Sequence, residues 1–203
     1  MKIYYTKGFT LAEIVVVTAI VGIIAVAVGS FQRDVFVNNK YSQDSLTSAQ
    51  DARNVLRVMV RELRTASPGN DGSFAIQTAA TNTITFYSDT DTDGLKEKIR
   101  YYIATTTLKR GSIKPSGNPL TYNSANETFS TLAYNVKNAT SSPLFEYYDS
   151  NYAGTSSPLT QPITVTNAHL VKINLMIDAD PNKSPVIRTY TTQVNFRNLK
   201  DNL

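Results

Sequence analysis

From Leu11 to Val28 the chain reads "LAEIVVVTAIVGIIAVAV", and Glu13 is the only charged side chain between Gly8 and Phe31. The length approaches the ~20 apolar residues that a membrane-spanning helix needs. A carboxylate sits badly in such a run. Insertion into lipid costs about 2.5–3.5 kcal/mol for an ionisable group at the middle of a spanning helix, and less near its end. A residue kept there against that cost marks a function and needs a partner.

Three readings of the stretch compete. In the first it is a simple membrane anchor. In the second it is a secretory signal peptide, with Met1–Lys7 as the basic leader and Ala25-Val26-Ala27 as a small-x-small cleavage site. The apolar run is longer than the usual core of a signal peptide, and neither reading explains Glu13. The third begins with a cut between Gly8 and Phe9, which creates an α-amino group on Phe9. Glu13 lies four residues on, so one helical turn separates amine from carboxylate. The amine then pairs with its own Glu13 or with that of a neighbouring helix slipped along its axis.

Lys7-Gly8-Phe9-Thr10-Leu11-Ala12-Glu13, followed by a long β-branched apolar helix, resembles the cleavage and methylation signature of type IV prepilins and pseudopilins. The resemblance implies processing at the Gly8–Phe9 bond, methylation of Phe9 and a role for Glu13 as the assembly carboxylate that docks the helix into a filament. It also implies a set of partners: the prepilin peptidase, other pilins or pseudopilins, an inner-membrane assembly platform and the lipid bilayer. The expected location is the inner membrane, crossed once, with an exported C-terminal headpiece. Gly29-Ser30 stands where many pilins carry a helix-loosening proline.

No proline interrupts Phe9 to Ser67, and Ala52, Leu56, Met59, Leu63 and Ala66 repeat at helical spacing. The helix should therefore continue past the membrane to Ser67-Pro68-Gly69-Asn70-Asp71-Gly72, a run of turn formers. At 1.5 Å per residue that is roughly 87 Å, far more than a bilayer's thickness. Arg53, Arg57, Arg61 and Arg64 share the remaining faces with Asp51 and Glu62 and read as the solvated side of a packed helix. The expected division is a leader over residues 1–8, a transmembrane helix over 9–31, an amphipathic helix over 32–67 and a β-rich headpiece over 68–203.

After Gly72 the periodicity changes to two. Strands are expected at Thr83–Ser88, Lys98–Ala104, Ala168–Asp178 and Val186–Arg197, with shorter ones at Thr131–Val136 and Leu144–Tyr148. Val171, Ile173, Leu175 and Ile177 form one face; Val186, Tyr190, Val194 and Phe196 form the matching face of the neighbouring strand. Asp178–Pro185 reads as a hairpin loop joining them. An antiparallel sheet on a long amphipathic helix is an α+β fold. The "RVMVRELRTA" helix end, the late "LFEYYDS" segment and the closing hairpin give a layout similar to the J-type minor pseudopilins of type II secretion systems.

The rest of the sequence narrows the function by what it lacks. The net charge is +4, and Lys2 and Lys7 supply two of those charges, leaving +2 beyond the leader. That is too little to argue for nucleic acid. Cysteine is absent, which excludes a disulfide framework and thiolate metal sites, and His169 is the single histidine. His169 falls in an expected strand with no nucleophile motif nearby and reads as structural. No catalytic residues, cofactor or metal are expected. Asp89-Thr-Asp91-Thr-Asp93-Gly94 does match the opening of a calcium loop. The position that wants a bidentate glutamate holds Arg100, Glu97 is the substitute, and the stretch reads foremost as an Asp-rich hairpin turn. Asn126, Asn138 and Asn182 open glycosylation sequons of the kind expected by chance in an Asn- and Thr-rich chain. Two function classes stay open: a structural subunit of a secretion or pilus-like machine, and a membrane-anchored or secreted binding module. For the second, carbohydrate is the natural ligand and Tyr101-Tyr102 and Tyr147-Tyr148 are the residues to inspect.

Overall fold

The computed structural model describes residues 8–179 and 187–196. It contains two units, Met1–Asp44 and Ser45–Leu203, and helix α1, Leu11–Arg64, belongs to both. In the first unit every residue from Gly8 to Lys40 is exposed. From Leu11 to Val28 apolar side chains cover the helix on all sides: Ile23 and Val26 are each more than two-thirds exposed. A helix satisfies its own backbone hydrogen bonds and so tolerates lipid, and one that is apolar all round calls for a nonaqueous surrounding. By length and composition α1 is able to cross a membrane. Helical conformation continues through Gly29 and Ser30, where the Ser30 hydroxyl donates to the Ala27 carbonyl at 2.9 Å.

In the second unit the pattern changes to a stripe. Ser45, Ala49, Ala52, Leu56, Met59 and Leu63 recur at intervals of three and four and are buried. The five residues expected to form the apolar stripe, Ala52 to Ala66, are all in the core. The helix ends at Arg64, three residues before the expected stop. There Ala66 N–H bonds the Leu63 carbonyl, and Ser67 N–H donates to the Tyr87 carbonyl at 2.9 Å, tying the chain to a strand before Pro68.

Two antiparallel sheets complete the α+β fold. The first is a five-stranded meander, β1 (Ile76–Ala79), β2 (Thr83–Ser88), β3 (Glu97–Ala104), β4 (Thr107–Ile113) and β5 (Thr128–Ala133), in sequence order. The second has three strands, β6 (Phe145–Tyr148), β7 (Leu170–Asp178) and β8 (Ile187–Asn195). An isolated bridge, Val136 to Ile177, and the bond from Phe145 N–H to the Thr81 carbonyl link the two. Helix and both sheets share one core, with Met59, Leu63, Phe86, Tyr101, Phe145, Ile173 and Val194 among its members.

The expected strands map onto β2, β3, β5, β6, β7 and β8, with ends shifted by up to three residues. His169 lies just before β7 rather than in it, although its backbone bonds Tyr148 and Phe196. Strands β1 and β4 were not anticipated. In β4, "TLKRGSI", two basic residues and a glycine hide the alternation. Arg110 stands opposite Tyr101 in the β3–β4 register and, with it, bonds Glu62 of the helix. Glu62 corrects the helix reading as well: it is 6% exposed, buried against the sheet rather than solvated. Val171, Ile173, Leu175 and Ile177 do form one buried face, met by Val194 and Phe196. Most of the loop Asp178–Pro185, Val186 and the sequon at Asn182 lie outside the described residues.

Candidate functional site

The N-terminal motif sits where α1 begins. Thr10 precedes the first helical residue, and its hydroxyl oxygen accepts the Glu13 backbone N–H at 3.3 Å. In return Glu13 Oε2 accepts the Thr10 backbone N–H at 2.8 Å and the Thr10 hydroxyl at 3.0 Å. This reciprocal arrangement is a capping box, which satisfies amide donors that a helix start otherwise leaves open. A negative carboxylate in the first turn also suits the positive end of the helix dipole. Thr10 is the functional residue that the sequence reading overlooked, although Thr-x-x-Glu ahead of an apolar run is a legible signal for this cap.

The cap decides where Glu13 points: toward Thr10. Phe9, immediately before it, is 83% exposed. At Gly8 an added Cβ would meet no atom within 4 Å, and its backbone is not in the left-handed region. Among the described residues, nothing in the fold demands glycine at position 8. Gly8, Phe9 and Glu13 thus form one exposed cluster at the mouth of the apolar helix.

The other singled-out residues have different roles. Tyr101 and Tyr147 are fully buried, and their hydroxyls donate to Glu62 at 2.6 Å and to the Ala80 carbonyl at 3.2 Å. Burial pushes both phenols well above their ordinary range, helped at Tyr101 by the Glu62 charge. Tyr148 is 5% exposed. Tyr102 is half-buried, with the Arg100 guanidinium 4.3 Å over its ring. Three of the four tyrosines considered for carbohydrate are therefore core residues. Asn138 spends its amide nitrogen on the Ser142 and Asn174 carbonyls, at 3.1 and 2.7 Å. Asp89, Asp91 and Glu97 come together at the β2–β3 turn.

Comparison with known proteins bears on the N-terminal cluster directly. The family model "Prokaryotic N-terminal methylation motif" matches residues 4–29. No curated protein matches the chain. Among solved structures, a chain of the GspK-GspI-GspJ complex from the enterotoxigenic Escherichia coli type 2 secretion system is similar. It is 13% identical, covers 70% of this chain and 96% of its own, and has a TM-score of 0.40. Gly8, Phe9 and Glu13 thus all lie within the stretch that matches the prokaryotic N-terminal methylation motif.

Proposed function

We propose that the chain is a structural subunit, a pseudopilin or minor pilin, of a type II secretion or type IV pilus-like machine. The observation that carries this is the methylation motif over residues 4–29 joined to an apolar helix exposed on every side. Prepilin peptidase cuts between Gly8 and Phe9 and the new Phe9 amine is methylated. The half of the helix from residue 32 to Arg64 then carries the β-rich headpiece beyond the inner membrane. Helices of neighbouring pilins or pseudopilins cover the apolar surface of residues 9–31 during assembly on an inner-membrane platform. The layout is similar to that of the J-type minor pseudopilins, with the long chain, the late "LFEYYDS" segment and the closing hairpin supporting that choice.

In this reading cleavage changes the task of Glu13. Before the cut its carboxylate caps the helix through Thr10. After the cut it also faces a cationic amine one residue away from that cap, on its own chain or on the next. Leaving one partner of a buried pair without the other costs roughly 3–5 kcal/mol, enough to exclude a subunit from a lipid-embedded assembly.

The capping box dictates which substitution tests this. Gln at position 13 keeps the bond to the Thr10 N–H, since glutamine serves the box as well as glutamate, and removes only the charge. The Glu13→Gln protein should reach the membrane at wild-type level and show by mass spectrometry a terminus at Phe9. Its cross-linking to partner pilins should be lost. Undiminished cross-linking in Glu13→Gln would refute the assembly role, and a mature terminus at Val28 would refute the whole reading in favour of a signal peptide. Gly8→Ala should block the cut without altering the fold, because position 8 has open space around it.

A further inference from the structure

The turn between β2 and β3 holds four carboxylates: Asp89, Asp91, Asp93 and Glu97. One carboxylate oxygen from each of Asp89, Asp91 and Glu97 lies within 4.8 Å of the other two. Acidic turns are common, and most are solvated throughout; this one buries one of its carboxylates. Glu97 is 4% exposed. Its Oε2 accepts the Thr90 N–H and hydroxyl, both at 2.9 Å, whereas its Oε1 is buried with no hydrogen-bond partner among the described residues. Asp89 repeats the pattern: Oδ2 accepts the Gly94 N–H at 3.0 Å, and Oδ1 is buried and unpartnered. Lys114 lies against Asp91 Oδ2, at 2.9 Å, and against Asp93. It thereby balances the outer side of the turn, and neither Asp89 nor Glu97 has an ion-pair partner among the described residues.

Two buried carboxylate oxygens left without donors are costly. A hydrogen-bond donor would relieve one of them; a divalent cation relieves both together. We infer that Asp89, Asp91 and Glu97 bind a calcium ion in the β2–β3 turn. The site deepens the sequence pattern by one substitution: Glu97 supplies the glutamate that the loop motif places at Arg100, because β3 begins there and turns its side chain into the loop. The donor set is all oxygen, which suits a hard cation. At Ca–O distances of 2.3–2.6 Å, ligands on opposite sides of the ion are about 4.6–5.2 Å apart, so oxygens within 4.8 Å fit its sphere. Magnesium, at 2.0–2.1 Å, demands a near-ideal octahedron, a stricter geometry than the flexible sphere of calcium. Loop carbonyls and water complete the calcium shell.

The test uses the full chain in mild detergent, stripped with a chelator, with calcium chloride or magnesium chloride as the probe. Isothermal titration should show calcium binding, and a hundredfold excess over Kd should raise the melting temperature by roughly 5–10 °C. Magnesium should raise it less. Glu97→Gln should abolish the calcium-dependent rise and, by removing an unpaired charge, leave the chelator-treated protein at least as stable as wild type. Asp91 is exposed, so Asp91→Asn folds whatever becomes of Glu97→Gln, and it should weaken calcium binding at least tenfold. Absence of both heat and melting shift at millimolar calcium overturns the inference. So does a calcium affinity unchanged by Asp91→Asn.

Discussion

Removing Arg110 exposes how the headpiece is held to its helix. Glu62 Oε2 receives two donors, the Tyr101 hydroxyl at 2.6 Å and Arg110 Nε at 3.0 Å. The Glu62 side chain is 7% exposed and that of Arg110 19%. Arg110→Met keeps most of the packing volume but leaves a buried carboxylate with only a neutral hydroxyl. Loss of one partner from a buried pair costs about 3–5 kcal/mol. Because Arg110 reaches solvent and water can take over part of its role, the lower end, about 3 kcal/mol, is the expected loss. For a domain of this size that lowers the melting temperature by roughly 6–12 °C. The assay is thermal unfolding followed by near-ultraviolet circular dichroism of the tyrosines, which report on the sheets without interference because the chain has 12 tyrosines and no tryptophan. The decisive comparison is the triple replacement Glu62→Leu, Tyr101→Phe, Arg110→Met. It removes every charge and polar group of the cluster at once, and a well-packed apolar replacement of a buried ionic cluster is neutral or stabilising by about 1–4 kcal/mol. The single variant should therefore be less stable than the triple. An Arg110→Met loss under about 1 kcal/mol, or a triple variant worse than the single, would refute the claim that burial of the Glu62 charge sets the cost.

Two further outcomes follow from the same core. Burial holds the Tyr101 and Tyr147 phenols protonated in the fold well above the pH at which the unfolded chain releases them, near 10. The stabilisation is complete below pH 10 and is lost as pH rises past it, by roughly 2.7 kcal/mol per pH unit for the two together; Tyr147→Phe should take roughly 1.4 kcal/mol per pH unit off the slope in alkaline urea titrations, and a flat profile above pH 10.5 (about half a unit past the free phenol) would contradict the assignment. Gly111 lies beside the Arg100–Glu127 pair, whose bidentate contacts are 2.9 and 2.8 Å. A Cβ there would stand 2.0 Å from Glu127 Oε1 and 2.9 Å from its Cδ, so Gly111→Ala should displace Glu127 and cost about 1 kcal/mol; in a Glu127→Ala background the cost should vanish, as unfolding in urea would show.

Much of this protein is local, and the sequence determines what is local. The apolar run of α1, its start after Gly8-Phe9 and its stripe from Ala52 to Leu63 depend on spacing along one helix, which needs no knowledge of distant partners. The same holds for the two-residue alternation of β2 and β7, and even the Thr10–Glu13 cap was written in four consecutive residues. What the tertiary structure alone decides are pairings between residues far apart in the chain. Arg110 and Glu62 look like surface charges by type, and only the meeting of β4 with the helix makes them a buried pair. Strand β4 stayed hidden for the same reason, since its inward arginine breaks the alternation that marks a strand. In the Asp89–Glu97 turn the residue types announce acidity, but whether an acidic turn is solvated depends on the burial of Glu97, and burial is a property of the packed chain.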